Sequence, residues 1–265
     1  MNGIYAGTNK ATKIYAGDKE VTKIYKGTEL VYESTPPAMP VRGDTISIYT
    51  GTVYETKQFR VISITNTIAK ISIVDNDKRF NARLDDTSRN AYYEGSSADK
   101  GMVNLLRLYF SSSFQNACVE QTFTQKNYGS YSSSASTRYK WERKDGTMQY
   151  LSNVLSNFSH DITRKIRIIG IDDIIEFFGA TPNMGSDNPL TYNNITNMLF
   201  GTITPSATYG FWMLNASSLT KGVSFSPSTG QLSETPNISN NYGVVPVFYI
   251  DLTKIPFTII TPPNT

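Results

Sequence analysis

The sequence predicts an α+β protein in which a short module of β-strand repeats precedes a larger mixed domain. Three observations lead there. Residues 4–33, IYAGTNKATKIYAGDKEVTKIYKGTELVYE, divide into three blocks of ten, each opening Ile-Tyr-x-Gly. A stretch with three prolines in seven residues, STPPAMP, follows at Ser34 to Pro40. Beyond it, runs of period-two alternation interleave with runs of helical spacing.

In the repeats, Ile, Tyr and Val recur on an extended pattern, and Gly7, Gly17 and Gly27 stand where a tight turn needs a positive φ. Residues 1–34 are therefore expected to form a β-meander with Ile4, Tyr5, Ile14, Tyr15, Ile24 and Tyr25 as its assembly or attachment residues. Three short ribbons hold too little apolar surface to stand alone in water, and their edges need covering. Ribbons from three chains can cover one another, a larger assembly can do so, or the meander can pack on its own chain. Prolines cannot pair in a sheet, so residues 35–40 read as a stiff linker.

Residues 41–257 read as the α+β domain, and 258–265 as a tail. RGDTISIYTGTVYETKQFRVISITNTIAKISIVDND alternates apolar and polar residues, with turns at Tyr49-Thr50-Gly51 and Asn66-Thr67. It predicts three or four meandering strands. Arg42-Gly43-Asp44 is ordinary turn chemistry before a strand. Asp75 and Asp77 lack the glycine and distant glutamate of a calcium loop, so DNDKRF reads as a hairpin turn. Met102, Leu105, Leu106 and Tyr109 have helical spacing. Asn127 to about Arg138 reads as a long surface loop, and MQYLSNVLSNF as a second short helix. KIRIIG is a strand. Asp172-Asp173 opens a helix that Gly179 ends, and a further helix runs from a cap at Thr191 or Asn193 to Gly201. Short strands return in YGFWMLN, GVSFSP and GVVPVFYIDL.

Composition bounds the function. Of 265 residues 39% are hydrophobic and 18% charged, with a net charge of +3 and no cluster of Lys and Arg, which gives no footprint for nucleic acid. No apolar run approaches the ~18 residues of a membrane span, and MNGIYAGTNK has no basic-then-apolar stretch, so no secretory signal is expected. The single cysteine, Cys118, reads as a buried inert thiol, and no Cys/His cluster suggests a metal. The single histidine, His160, lies in LSNFSHDITRK and reads as an exposed turn residue. Ser159, His160 and Asp161 are adjacent in the chain, which does not make triad geometry. The carboxylate pairs Asp85-Asp86 and Asp172-Asp173 are accounted for by a loop and a helix cap. No catalytic residue, metal or cofactor is expected.

Two stretches resemble known families. The IY-x-G-(T/D) blocks resemble the N-terminal repeats of tail and fibre proteins from phages of Gram-positive bacteria. Residues 41–256, through KIRIIGIDDIIEFFG, FWMLNASS and GVVPVFYIDL, resemble a C-terminal domain of phage fibre-like and bacterial surface proteins. Its pattern is a strand-helix, then W-L-R-S, a variable stretch and a closing G-V-R-P-x-x-x-I-D-L. That resemblance implies a C-type-lectin-like or sulfatase-modifying-factor-like scaffold displaying a variable surface. Here W-L-R-S becomes Trp212-Met213-Leu214-Asn215, and G-V-R-P becomes Gly243-Val244-Val245-Pro246. Both arginines are gone; if the family's two arginines share one buried acidic partner, losing both together leaves no charge unpaired.

The resemblance makes residues 212–242 the variable region. It is dense in Ser, Thr and Asn with interspersed aromatics, and Trp212 reads as core. The candidate ligand residues are Asn215, Ser217, Ser218, Lys221, Ser224, Ser226, Ser228 and Tyr242. Ser224, Ser226 and Ser228 are expected on one strand face with Val223 and Phe225 on the other; the stretch otherwise reads as a polar solvated hairpin. The expected protein is a virion structural component made in the host cytoplasm, a fibre or spike-like appendage, homotrimeric and attached to other virion proteins. It would bind a host-surface polysaccharide or protein, without nucleic-acid binding or membrane insertion. The rival expectation is a capsid-decoration, head-fibre or tail-tip part with no external ligand.

Overall fold

The computed structural model describes residues 5–6, 9–10, 15–16, 19–21, 23–26, 29–33, 38–51, 56–74, 81–82, 93–126, 128–131, 138–153, 160–200, 210–218, 221–235 and 242–260. Two compact units divide the chain, Met1–Met39 and Pro40–Thr265.

The first unit corrects the meander. Strands β1 (Tyr5–Ala6) and β2 (Asn9–Lys10), β3 (Tyr15–Ala16) and β4 (Lys19–Glu20), and β5 (Lys23–Lys26) and β6 (Glu29–Glu33) form three separate antiparallel two-stranded hairpins. Tyr5 faces Lys10 and Tyr15 faces Glu20 in the same register, ten residues apart. Each of the first two blocks of ten thus holds both arms of its own hairpin, and arms of two residues pair with their nearest neighbour in the chain. The third hairpin is longer, from Lys23↔Glu33 to Lys26↔Glu29, with a register shift after Ile24. Ile24 is half-buried. Ile4, Ile14, the three repeat glycines and residues 34–37 lie outside the described residues, as do the side chains of Tyr5, Tyr15 and Tyr25.

The second unit is mixed and mostly β. Its first half runs β7 (Thr45–Tyr49), β8 (Thr56–Thr65), β9 (Ile68–Ile73), β10 (Asn81–Ala82), α1 (Ser97–Tyr109), α2 (Ser112–Ala117), β11 (Gln121–Gln125), β12 (Tyr128–Tyr131), β13 (Tyr139–Glu142) and β14 (Met148–Asn153). Its second half runs β15 (His160–Arg164), β16 (Ile166–Ile168), α3 (Ile171–Phe178), α4 (Tyr192–Phe200), β17 (Phe211–Ser218), β18 (Lys221–Phe225), β19 (Leu232–Thr235), β20 (Tyr242–Gly243), β21 (Pro246–Asp251) and β22 (Phe257–Ile260). Among the described residues, one sheet has the order β16-β21-β9-β8-β7-β22 and another β10-β20-β17-β18-β19.

Period-two alternation gives the first sheet two different faces. Phe59, Val61, Ala69, Ile71, Phe248 and Ile250 join α1 and α2 in one core. There Phe114 stacks near Phe59 and Phe110, and Phe248 meets all three edge-on at 5.2–5.8 Å. Ile62 and Val247 belong instead to a second core with Trp141, α3, α4, Met213, Val223 and Phe225. Strand β17 serves both: Trp212 and Leu214 enter the first core, and Met213 the second.

Local signals fix the helices. Ser96 Oγ accepts from the Asp99 N–H at the start of α1, and Ser111 Oγ does the same for Phe114 at α2. Met102, Leu105 and Leu106 are buried on α1 as their spacing predicts, but Tyr109 at the last turn is exposed. Gly179 ends α3 in the left-handed region at φ 61°, and Thr191 Oγ1 caps α4 through the Asn194 N–H. At Arg42-Gly43-Asp44, the aspartate accepts from the Val41 N–H and the arginine donates to the Glu176 carbonyl.

Three expectations are corrected. The helix from Met148 is strand β14, because β12 and β13 pair with it on either side and Gln149 bonds the Leu232 N–H and carbonyl. Helical spacing is a weak prior that such pairing overrides. The loop from Asn127 contains β12. The tail from 258 begins as strand, with Phe257–Ile260 paired along β7. The hairpin turn at 75–80, residues 132–137, the stretch 83–92 with Asp85-Asp86, Ser159 and Gly201 lie outside the described residues.

Candidate functional site

A cleft of about 450 Å³ opens where the end of the first sheet meets β11 and the start of α3. Sheet register builds its floor. Lys70 on β9 pairs with Tyr249 on β21 and with Ser63 on β8, and residues opposite each other share a face. Arg167 sits between two isoleucines on β16 and pairs with Val247 of β21. The face away from the phenylalanine core thus gathers Ser63, Lys70, Arg167 and Tyr249. The β8–β9 turn adds Asn66, whose φ of 56° suits an asparagine. Strand β11 adds Gln121 and Phe123, and α3 adds Asp172, Asp173 and Glu176.

Charge is balanced and paired. Arg167 grips Asp173 with two bonds, NH1 to Oδ2 at 2.6 Å and NH2 to Oδ1 at 2.7 Å, and both side chains are nearly sealed from solvent. Arg167 also donates to the Tyr249 hydroxyl and lies 4.7 Å over the Phe123 ring. Asp173 accepts from the Gly170 N–H, fixing the start of α3. Burial opposes its charge, yet Arg167, with Lys70 and Gly170 behind it, holds its carboxyl well below the usual range. Burial likewise disfavours charged Lys70, but Asp173 and the Glu176 bond leave its ammonium harder to deprotonate than a free lysine. Lys70 Nζ lies 2.5 Å from Glu176 and 3.3 Å from Asp173, and Lys126 lies 2.9 Å from Asp172. Such a surface offers donors and acceptors side by side. Among the described residues that line it there is no histidine or cysteine.

None of the ligand residues expected from the sequence is among the described residues that line this cleft. Asn215 is fully buried and structural: Oδ1 accepts from the Ile171 N–H at 2.6 Å, and Nδ2 donates to the Lys126 carbonyl and Asp172. Ser224 is buried, because β18 packs between β17 and β19 and it lies opposite Trp212. The serine face is therefore corrected: Val223 and Phe225 are buried as well, and the residues after Phe225 leave the strand. Ser226 and Ser228 share a hydroxyl contact at 3.1 Å in the turn beyond it. Lys221 is exposed at the other end of β18. Tyr242 packs on Trp212 at 4.8 Å. The side chains of Ser217 and Ser218 lie outside the described residues. Trp212 is core, fully buried.

Other sequence readings resolve locally. His160 is a strand residue, not a turn residue: it pairs with Gln125 in β15, and its Nε2 lies 2.6 Å from Glu94. Asp161, on the opposite face, accepts from Thr124 Oγ1. Cys118 is 2% exposed, and burial pushes its thiol up to about 12. Val245 is buried in the second core.

Sequence reasoning missed Lys70, Arg167, Tyr249 and Glu176 as site residues. For Lys70, Arg167 and Tyr249 the signal was a polar or amphipathic residue inside an apolar strand, in IAKISI, KIRIIG and VFYID, and for Glu176 it was one charge in the apolar helix run IIEFF. Among the described residues, no helix is long and apolar enough to cross a membrane, and no group of three or more His, Cys, Asp or Glu could hold a metal ion. Comparisons with protein-family models, curated proteins and solved structures find no match.

Proposed function

We propose that this chain is a phage virion protein, a fibre or spike-like appendage whose N-terminal repeats attach it to its own copies or to other virion proteins. Its larger domain, read as a C-type-lectin-like scaffold, binds a host-surface glycan or protein. The observation that carries this reading is the division at residue 39: three short hairpins on one side, and on the other a unit with its own cores and an open polar cleft. Two-stranded hairpins are marginal in water on their own, which supports a role in association. A cleft of this volume falls within the ~300–1,000 Å³ of ligand sites. Display of several copies would turn weak single sites into firm attachment.

The test is adsorption. Full-length chain carrying a fluorescent label should coat cells of a susceptible bacterial strain, and a 40–265 fragment should bind the same cells at least tenfold more weakly because it has lost its valency. A full-length chain that leaves every strain of a broad Gram-positive panel bare would overturn the receptor-binding reading in favour of a structural virion part.

A further inference from the structure

We infer that the cleft takes a neutral, multiply hydroxylated ring, one unit of a glycan, and not an anion, a cation or an apolar group. This deepens the proposed function and rests on it for the source of the ligand.

Three cations and three carboxylates meet in the cleft, and each has an opposite partner within 3.3 Å. An incoming anion would have to take Lys70 from Asp173 and Glu176, or Lys126 from Asp172, leaving carboxylates behind without compensation. An incoming cation faces the mirror problem. A hydroxyl breaks nothing: it donates to a carboxylate lone pair and accepts from an ammonium N–H that the pair leaves unused.

Geometry suits several hydroxyls at once. Asp172 and Glu176 are four residues apart on α3, so their ion pairs with Lys126 and Lys70 stand one turn apart, about 6 Å along the axis, on one side of the helix. That spacing is comparable with the width of a pyranose ring. The outer members are reachable: Asp172, Glu176 and Lys126 side chains are 31%, 41% and 38% exposed. Across the cleft, Ser63, Thr65 and Asn66 add neutral groups that both donate and accept. Arg167 already occupies one face of the Phe123 ring, so recognition would come from hydrogen bonds to hydroxyls more than from stacking.

The test titrates the full-length, isotope-labelled chain with glucose, galactose, N-acetylglucosamine and maltose, and with glucuronate and inorganic phosphate as charged probes, following backbone amide shifts. At least one neutral sugar should shift the amides of Asn66, Lys126 and Glu176 saturably. Raising salt from about 0.1 to about 1 M should change that affinity less than about twofold, since no net charge is neutralised. Glu176→Gln and Asp172→Asn, each checked for an unchanged melting temperature, should weaken it at least tenfold. The inference is overturned if none of the neutral sugars moves these amides, or if glucuronate or phosphate binds more tightly than all of them. Cell coating measured in parallel separates the two claims. Coating retained in full by both variants overturns the cleft assignment and leaves the appendage reading standing. Absence of coating by the unaltered chain removes that reading, while the sugar titration still decides the cleft.

Discussion

Removing the Arg167 guanidinium would strand the Asp173 carboxylate in a site with almost no access to water, where, among the described residues, Lys70 and the Gly170 N–H are left to meet it. Arg167→Met is therefore expected to lower stability by about 3–5 kcal/mol, and the joint Arg167→Met, Asp173→Leu variant by less, because it leaves no unpaired charge. Urea denaturation of the three proteins measures both; equal losses would show that the pair is not coupled. The same carboxyl sets an acid limit. Its folded-state pKa is depressed, so the stability it contributes is fully present above the unfolded value of about 3.9 and is lost as pH falls through the lower folded value. The melting temperature should drop below about pH 4, and less steeply in Asp173→Asn. Parallel slopes would assign the acid loss to other groups. Neither residue was legible as a partner of the other. A lone arginine among isoleucines is visible in the sequence, but the strand order β16-β21-β9-β8 that brings it beside Lys70 and Tyr249 is not chain order.

Elements whose signals are local were read well. The capping carboxylate Asp173 and the closing glycine of α3 lie within one short segment, and the Asn66 turn between β8 and β9 is written in adjacent residues; Asp172, expected as part of the cap, pairs with Lys126 instead. Elements decided by partners were not: β14 looked helical until β12 and β13 are laid beside it, and β18 looked half-exposed although β17 and β19 enclose it. Gly230 shows how tightly that enclosure is made. It sits at φ 71° in the turn before β19, and a Cβ there would lie 2.5 Å from the Tyr192 ring of α4. Its carbonyl accepts from the buried Trp141 indole at 2.8 Å. Gly230→Ala should cost at least about 2 kcal/mol, from the left-handed backbone together with the displaced ring. Chemical denaturation checks it, and a loss below about 0.5 kcal/mol would mean that the turn gives way freely.

At the scale of the molecule, the ten-residue period announced a repeated unit but not its form. A meander and separate hairpins share the same alternation in sequence, and only the pairing partners distinguish them. The candidate cleft draws on segments from residue 63 to residue 249, and no local pattern spans that separation. The proposed function requires the repeats to bring copies of the chain together so that several clefts face a cell. Light scattering of the purified full-length chain, beside its binding to susceptible cells, tests this most directly. The expected result is a particle of three times the 29.5 kDa chain mass that coats the cells. A particle of single-chain mass that leaves them bare would contradict it.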